Sequence, residues 1–298
     1  MNFEASTNSQ TVAESSHAAE VQGGFRFEFG ENWKRFLSTL DETRIKEAEN
    51  SLLQMLDLKD LSGRTFLDIG SGSGIISLAA RRLGARVHSF DYDPQSVNCT
   101  ADLKRLHFPN DTNWSIEEGS VLNLDYLRGL GKFDVVYSWG VLHHTGQMWQ
   151  ALENVSLVVA PGGRLFIAIY NDMGWRSSMW RGVKVTYNKA PRLLRTPIVL
   201  SVLIPGQIKA FLESVVKFKV RDFVESWTEQ YGKNRGMSRW HDAVDWIGGY
   251  PYEVATTQRL IDFYKVRGFD LLKVKTPDYK LGCNELVFTR TESTACAE

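Results

Sequence analysis

Phe66-Leu67-Asp68-Ile69-Gly70-Ser71-Gly72-Ser73-Gly74-Ile75 is the stretch on which the reading of this chain turns. A short apolar run ends in a glycine turn, and the turn opens into the apolar periodicity of Ile75–Leu83. That order describes a strand, a tight loop and a helix start. Glycines there let the backbone approach a ligand closely, and the first turn of the helix offers unpaired N–H groups. The glycines run G-x-G-x-G, so the third is Gly74; a dinucleotide fingerprint would need glycine at 75, which is Ile75. Asp68 stands two residues before Gly70, where it can bond a ligand ammonium directly or through water. Asp91 closes the next apolar run, 21 residues after Gly70, at the spacing from which a carboxylate grips both hydroxyls of a ribose.

Outward from this stretch, strands are expected at Thr65–Ile69, Arg86–Phe90, Thr112–Glu117, Phe133–Tyr137 and Gly163–Tyr170. Helices are expected between them at Ile75–Leu83, Pro94–Leu106, Leu122–Leu130 and Gln147–Val159, with one more over residues 41–57 ahead of the first strand. Pro161-Gly162-Gly163 reads as the turn into the fifth strand. Alternation of this kind implies an α/β fold with a parallel sheet covered on both faces. It lapses for about 80 residues, then resumes with a helix at Thr256–Arg267 and two strands, Phe269–Thr276 and Glu285–Thr289, close enough to pair as a hairpin. The expected organisation is a tail at residues 1–24, a core at 25–170 and 253–292, and a mainly helical insertion at 171–252 on the substrate side.

The 298 residues carry 35 Lys+Arg against 35 Asp+Glu, so no whole-molecule field draws nucleic acid. Nucleic acid is accordingly not an expected partner. Three widely spaced cysteines make no C-x-x-C, which argues against a zinc ribbon or a disulfide framework and for a reduced, cytoplasmic setting. Residues 1–24 hold no Lys or Arg and no long apolar run, unlike a secretory or transit segment, and read as a mobile tail. The longest apolar run, Pro197 to Pro205, is shorter than the roughly 20 residues that cross a bilayer.

Taken together, these motifs resemble those of the class I S-adenosylmethionine-dependent methyltransferases, over roughly residues 60–170 and 255–290. Phe66–Gly74 resembles that family's first motif, and Phe90-Asp91-Tyr92-Asp93-Pro94 its acidic second-strand end. Gly119-Ser120-Val121-Leu122 is similar to the adenine-edge segment, although Ser120 stands where the family often has aspartate. Phe133–Val136 with Val141-Leu142-His143-His144, and Ala160–Gly163, complete the series. The subgroup of quinone and small-molecule O-methyltransferases is the nearest in flavour. The resemblance implies a Rossmann-like sheet of seven strands, the last antiparallel, and S-adenosyl-L-methionine as cofactor. It implies that Gly70, Gly72 and Gly74 wrap the methionine end, that Asp91 and Tyr92 flank the ribose, that Ser120 and Val121 meet the adenine, and that Trp139 lies beside the methionine. For Ser120 a turn-capping hydroxyl is an equal alternative.

Methyl transfer is an in-line displacement at a sulfonium, so the protein must hold nucleophile and methyl in line and exclude water. A hydroxyl nucleophile is helped by a base. His143 and His144, at the carboxyl end of the fourth strand, are the candidates, with loop support as the other reading. The insertion holds ten Lys/Arg and one acid, Glu213, between Met173 and Arg221, interleaved with aromatic residues. A solvated basic lid, a pocket for an anionic substrate and a surface for an anionic membrane all fit that pattern. Tyr170, Trp175, Arg176, His241, Asp245, Trp246 and Tyr250 are the candidate substrate residues. His241 and Asp245 share a helix face but make too few ligands for a metal site. Phe25–Trp33 is a candidate cover over the cofactor. The expected function is methyl transfer to a small molecule, most readily at oxygen. N- or C-methylation, an NAD(P)-dependent oxidoreductase on a similar sheet, and a non-catalytic cofactor-binding scaffold remain open alternatives, as does the oligomeric state.

Overall fold

The structure, a computed structural model, describes residues 17–30, 33, 37, 40–217, 221, 244, 246–277 and 281–292. Seven strands, β1 (Thr65–Ile69), β2 (Arg86–Asp91), β3 (Trp114–Glu118), β4 (Phe133–Trp139), β5 (Val159–Tyr170), β6 (Phe269–Lys275) and β7 (Cys283–Arg290), form one sheet in the order β3-β2-β1-β4-β5-β7-β6. The first five pair in parallel, and β7 runs antiparallel to both β5 and β6. The expected hairpin of the last two strands is thus present, and β7 is wedged between β5 and β6.

Helices α1 (Glu42–Leu56), α2 (Ile75–Arg82), α3 (Pro94–His107), α4 (Leu124–Leu130) and α5 (Met148–Leu157) cover the sheet. After β5 come α6 (Trp175–Lys189) and α7 (Arg192–Val216), and α8 (Thr257–Lys265) precedes β6. Period-two alternation splits each strand between two cores. From β1, Leu67 and Ile69 face one core with Phe90, Leu152, Leu165 and Tyr264. Phe66 faces the other with Leu52, Val87, Trp114 and Phe166. Both cores are built from buried apolar side chains, and the glycine loop follows at the carboxyl edge of β1. That edge carries the site.

Two expectations change. Pro161-Gly162-Gly163 is not a turn ahead of β5 but a bulge inside it: Phe133 pairs with Val159 and Val135 with Arg164, so extra residues are accommodated between the two pairs. A side chain at Gly163 would meet the carbonyl oxygens of Ala160, Asp134 and Phe133 at 2.8–3.1 Å, which is why the chain can fold in on itself there. Order also starts before residue 25. Residues 17–22 are helical, and the Tyr92 hydroxyl donates to Glu20 at 3.3 Å while the His17 ring meets Tyr92 edge-on at 5.5 Å. Residues 1–16 of the expected tail lie outside the described residues.

The N-terminal segment is tied to the core through one carboxylate. Asp93 caps α3 by accepting from the Gln95 N–H at 2.9 Å, and its other oxygen accepts from the Gly30 N–H at 2.9 Å. Pro94 fills the first helical position, where a missing N–H costs nothing. Asp93→Ala leaves two donors without acceptors, and we expect it to lower unfolding stability by about 1–2 kcal/mol, read from urea titration. An unchanged midpoint would mean the segment is held by its aromatic contacts alone.

Candidate functional site

At the carboxyl edge of β1 the backbone turns through Gly70 and Gly72 with φ of 77° and 55°, the left-handed region that glycine enters without strain. Neighbours occupy the space a side chain would need. A Cβ on Gly70 would lie 2.4 Å from Val141, and one on Gly72 would lie 3.1 Å from the Trp33 indole. Trp33 therefore packs on the glycine loop. Gly74 closes the loop, also at positive φ, as the N-cap of α2.

The two acidic residues take different parts. Asp68 is buried and accepts from the Ser77 hydroxyl at 2.5 Å; Ser77 in turn meets the Ser89 hydroxyl at 2.7 Å. Burial pushes the Asp68 carboxyl up to about 7. The structure thus directs Asp68 to the start of α2, where it braces the loop through Ser77. Asp91 is half-buried at the end of β2. One of its oxygens accepts from the Gly72 N–H at 2.9 Å and the other from the Asp93 N–H at 3.0 Å. The Tyr92 backbone bonds this carboxylate as well, and the acceptor capacity that remains is available to a ribose hydroxyl. Burial holds this carboxyl up, to about 6.

Around this pair, Tyr92 lies under the Arg26 guanidinium, 4.8 Å from its centroid. The Ser120 hydroxyl accepts from the Leu122 N–H at 3.3 Å, the turn-capping role that was the alternative for it. Val121 is buried, and its carbonyl accepts from Asn154 at 2.9 Å. Trp139 ends β4, half-buried against the Phe66 core.

His143 and His144 form a short 3-10 turn after β4 (Leu142–His144), and both rings are buried. His144 Nδ1 lies 2.6 Å from the Pro251 carbonyl, which can only accept, so Nδ1 carries the proton. His143 packs on the Tyr170 ring at 4.0 Å, and its Nδ1 accepts from the Tyr170 N–H at 3.4 Å. Burial and the Lys184 ammonium depress both imidazoles, His144 to about 3. Each ring is neutral and commits its Nδ1 to the backbone, which fits the loop-holding reading, while His143 Nε2 is buried with no hydrogen-bond partner. Backbone bonds complete the link, since the Glu253 N–H donates to His143 O at 3.1 Å and the Met148 N–H to Glu253 Oε2 at 2.9 Å.

Lys184 was not foreseen as a site residue. It is fully buried, donates to the Trp246 carbonyl, and places its ammonium 4.7 Å from the Trp246 ring, 4.9 Å from Tyr252 and 5.6 Å from Tyr170. Desolvated contacts of this kind attract a cation to aromatic faces. The basic count of the insertion grouped Lys184 with solvated charges. The signal that separates it is helical spacing: Trp180, Lys184, Tyr187 and Asn188 fall on one face of α6.

A groove of about 880 Å³ opens beside this cluster. Arg26, Trp149, Arg181, Tyr250, Tyr252 and Glu253 are among its lining residues. Its walls come from residues 145–149 after the His143–His144 turn, from α6 and from the Tyr250–Val254 strip. Of the expected substrate residues, Tyr250 lines the groove, while Tyr170 and Trp246 stand behind it around Lys184. Trp175 and Arg176 do not: both are exposed, with the guanidinium 5.8 Å over the indole, because the first turn of α6 points them to solvent. His241 and Asp245 lie outside the described residues. Glu253 lines the groove, and burial raises its carboxyl above the usual range.

Residues 67–165 match a family described as a methyltransferase domain. Ribosomal protein L11 methyltransferase of Campylobacter concisus is 37% identical over 91 residues, covering 30% of this chain and 30% of that protein. Ubiquinone biosynthesis O-methyltransferase of Xanthomonas oryzae pv. oryzae is 30% identical over 112 residues, 38% of this chain and 45% of its own. The chain thus spans less than half the length of these relatives. Among solved structures, PKMT2 from Rickettsia typhi in complex with AdoHcy aligns with a TM-score of 0.55 at 13% identity, over 82% of this chain and 52% of that one. At that identity the likeness is one of fold.

Proposed function

We infer that this chain, which carries a class I S-adenosylmethionine-dependent methyltransferase domain over residues 67–165, transfers a methyl group from that cofactor to a hydroxyl of a small molecule. The observation that carries the reading is the pairing of Asp91 with the glycine loop: a carboxylate at the end of β2, bonded to the Gly72 N–H of a loop whose glycines make room for a ligand. When bound, the cofactor supplies a methyl group activated on a sulfonium. What remains for the protein is to orient the acceptor, keep water out and remove a proton.

The groove is of a size for a small molecule. Its lining mixes Arg26 and Arg181 with Glu20, Asp172 and Glu253, and Arg26 is paired with Glu20 at 2.6 Å, which suits a polar acceptor. We assign proton removal to Glu253. Its carboxylate faces the groove, and its raised pKa brings it nearer to neutrality, where a base is most effective. His143 and His144 then hold the turn between cofactor and acceptor. The likeness to an O-methyltransferase over 112 residues supports oxygen as the accepting atom. Labelled-methyl transfer into fractionated cytoplasmic extract, with mass spectrometry of the product, tests the reading. A product methylated at nitrogen or carbon would move the chemistry while keeping the cofactor; NADH binding without binding of S-adenosylhomocysteine would overturn both.

A further inference from the structure

Helix α7 is apolar on two opposite faces, and only one of them has something to pack against. Ile198, Val199, Val202 and Leu203 pack with Tyr187 of α6 and Ile247. At 100° per residue, Leu193, Leu200, Ile204, Ile208, Phe211 and Val215 fall on the opposite side. All six are exposed, Leu193 at 90%. They make a stripe about 33 Å long. The helix is long and apolar enough to cross a membrane by length and composition, yet only 6% of its most apolar window is buried within the protein. This corrects the expectation drawn from the uninterrupted run alone, because α7 extends well past Pro197 and Pro205 on both sides.

We propose that this stripe lies flat on an anionic phospholipid bilayer, as an interfacial helix rather than a spanning one. Packing of the opposite face against α6 keeps α7 attached to the domain, which a spanning helix would have to abandon. Pro197 and Pro205 also leave the carbonyls of Leu193 and Ser201 without their helical donors, and water at the interface satisfies these where hydrocarbon cannot. The lipid class follows from charge. Exposed Lys189 and Arg192 stand at the N-terminal end and exposed Lys217 and Arg221 follow the C-terminal end, with Glu213 the one acid on the helix between them. Basic ends around an apolar stripe match anionic headgroups over hydrocarbon. This inference does not depend on the reaction proposed above.

The test is flotation of the full chain with phosphatidylcholine vesicles, with and without phosphatidylglycerol, alongside sedimentation analysis without lipid. Binding is expected to the anionic vesicles only and to weaken with salt. Ile204→Glu with Ile208→Glu should cut the bound fraction at least tenfold, and Lys189→Gln with Arg192→Gln about tenfold or more at low salt. All four positions are exposed, and circular dichroism with thermal melting verifies that the variants fold. Failure to float with anionic vesicles overturns the proposal, as does equal binding to neutral ones. If Ile204→Glu with Ile208→Glu instead converts a dimer to a monomer, the stripe binds a second copy and the lipid proposal falls.

Discussion

Glu253→Gln is expected to lower turnover by about 10²–10⁴ while leaving the affinity for S-adenosylhomocysteine unchanged. Glutamine is the informative replacement because its carbonyl oxygen can still accept from the Met148 N–H, the bond that ties the Tyr250–Val254 strip to α5. Basicity is lost and the scaffold is kept. Since burial raises the Glu253 carboxyl, the acid limb of kcat/KM should fall through a pKa above that of an ordinary glutamate: activity is present above it and lost below. The comparison variant is His144→Ala. It removes the bond to the Pro251 carbonyl, so it should raise KM and reduce stability more than it lowers kcat. Steady-state labelled-methyl kinetics on the identified acceptor decide between them. If Glu253→Gln turns over normally and His144→Ala or His143→Ala loses 10²-fold or more with folding intact, the base is a histidine and our assignment is wrong.

The second large effect lies on the cofactor. Asp91→Ala removes the charged acceptor from the ribose and should weaken cofactor binding by about 1.5–3 kcal/mol, or roughly 10- to 150-fold. The variant also frees the Gly72 N–H, so part of the loss reflects a looser glycine loop. The pH dependence separates the two contributions. In the free protein the Asp91 carboxyl sits at about 6 because burial outweighs its three backbone donors. Hydroxyl donors favour the charged form, so affinity is full above pH 6 and declines as the pH falls through that value. In Asp91→Ala this limb should vanish. Calorimetric titration with S-adenosylhomocysteine across pH 5 to 8 reads both quantities, and a parent curve flat over that range would place the ribose elsewhere.

How much of this was legible beforehand depends on whether the signal is local. The strand–glycine–helix order at Phe66–Ile75 is local: backbone conformations that only glycine tolerates, followed by helical spacing, leave little choice of structure. The five parallel strands were legible for the same reason, since each is a short apolar run between helical ones. Pro161-Gly162-Gly163 misled because proline and glycine signal a break in pairing without saying whether it is a turn or a bulge; the register of β4 against β5 decides that. Lys184 misled because composition counts charges, whereas burial depends on which helix face meets Tyr170 and Trp246. Glu253 carried no motif at all. Its place follows from the strip before α8 crossing the His143–His144 turn.

The sequence by itself determined the α/β class, the glycine loop and the acidic end of β2, because these rest on conformational preferences and spacings within a few residues of each other. Only the tertiary structure decided which groups face the groove, which cation is buried and which face of α7 is left uncovered. Each of those depends on elements far apart in the chain meeting across a shared surface. Desolvation there sets the state of every charge, and no local pattern encodes it.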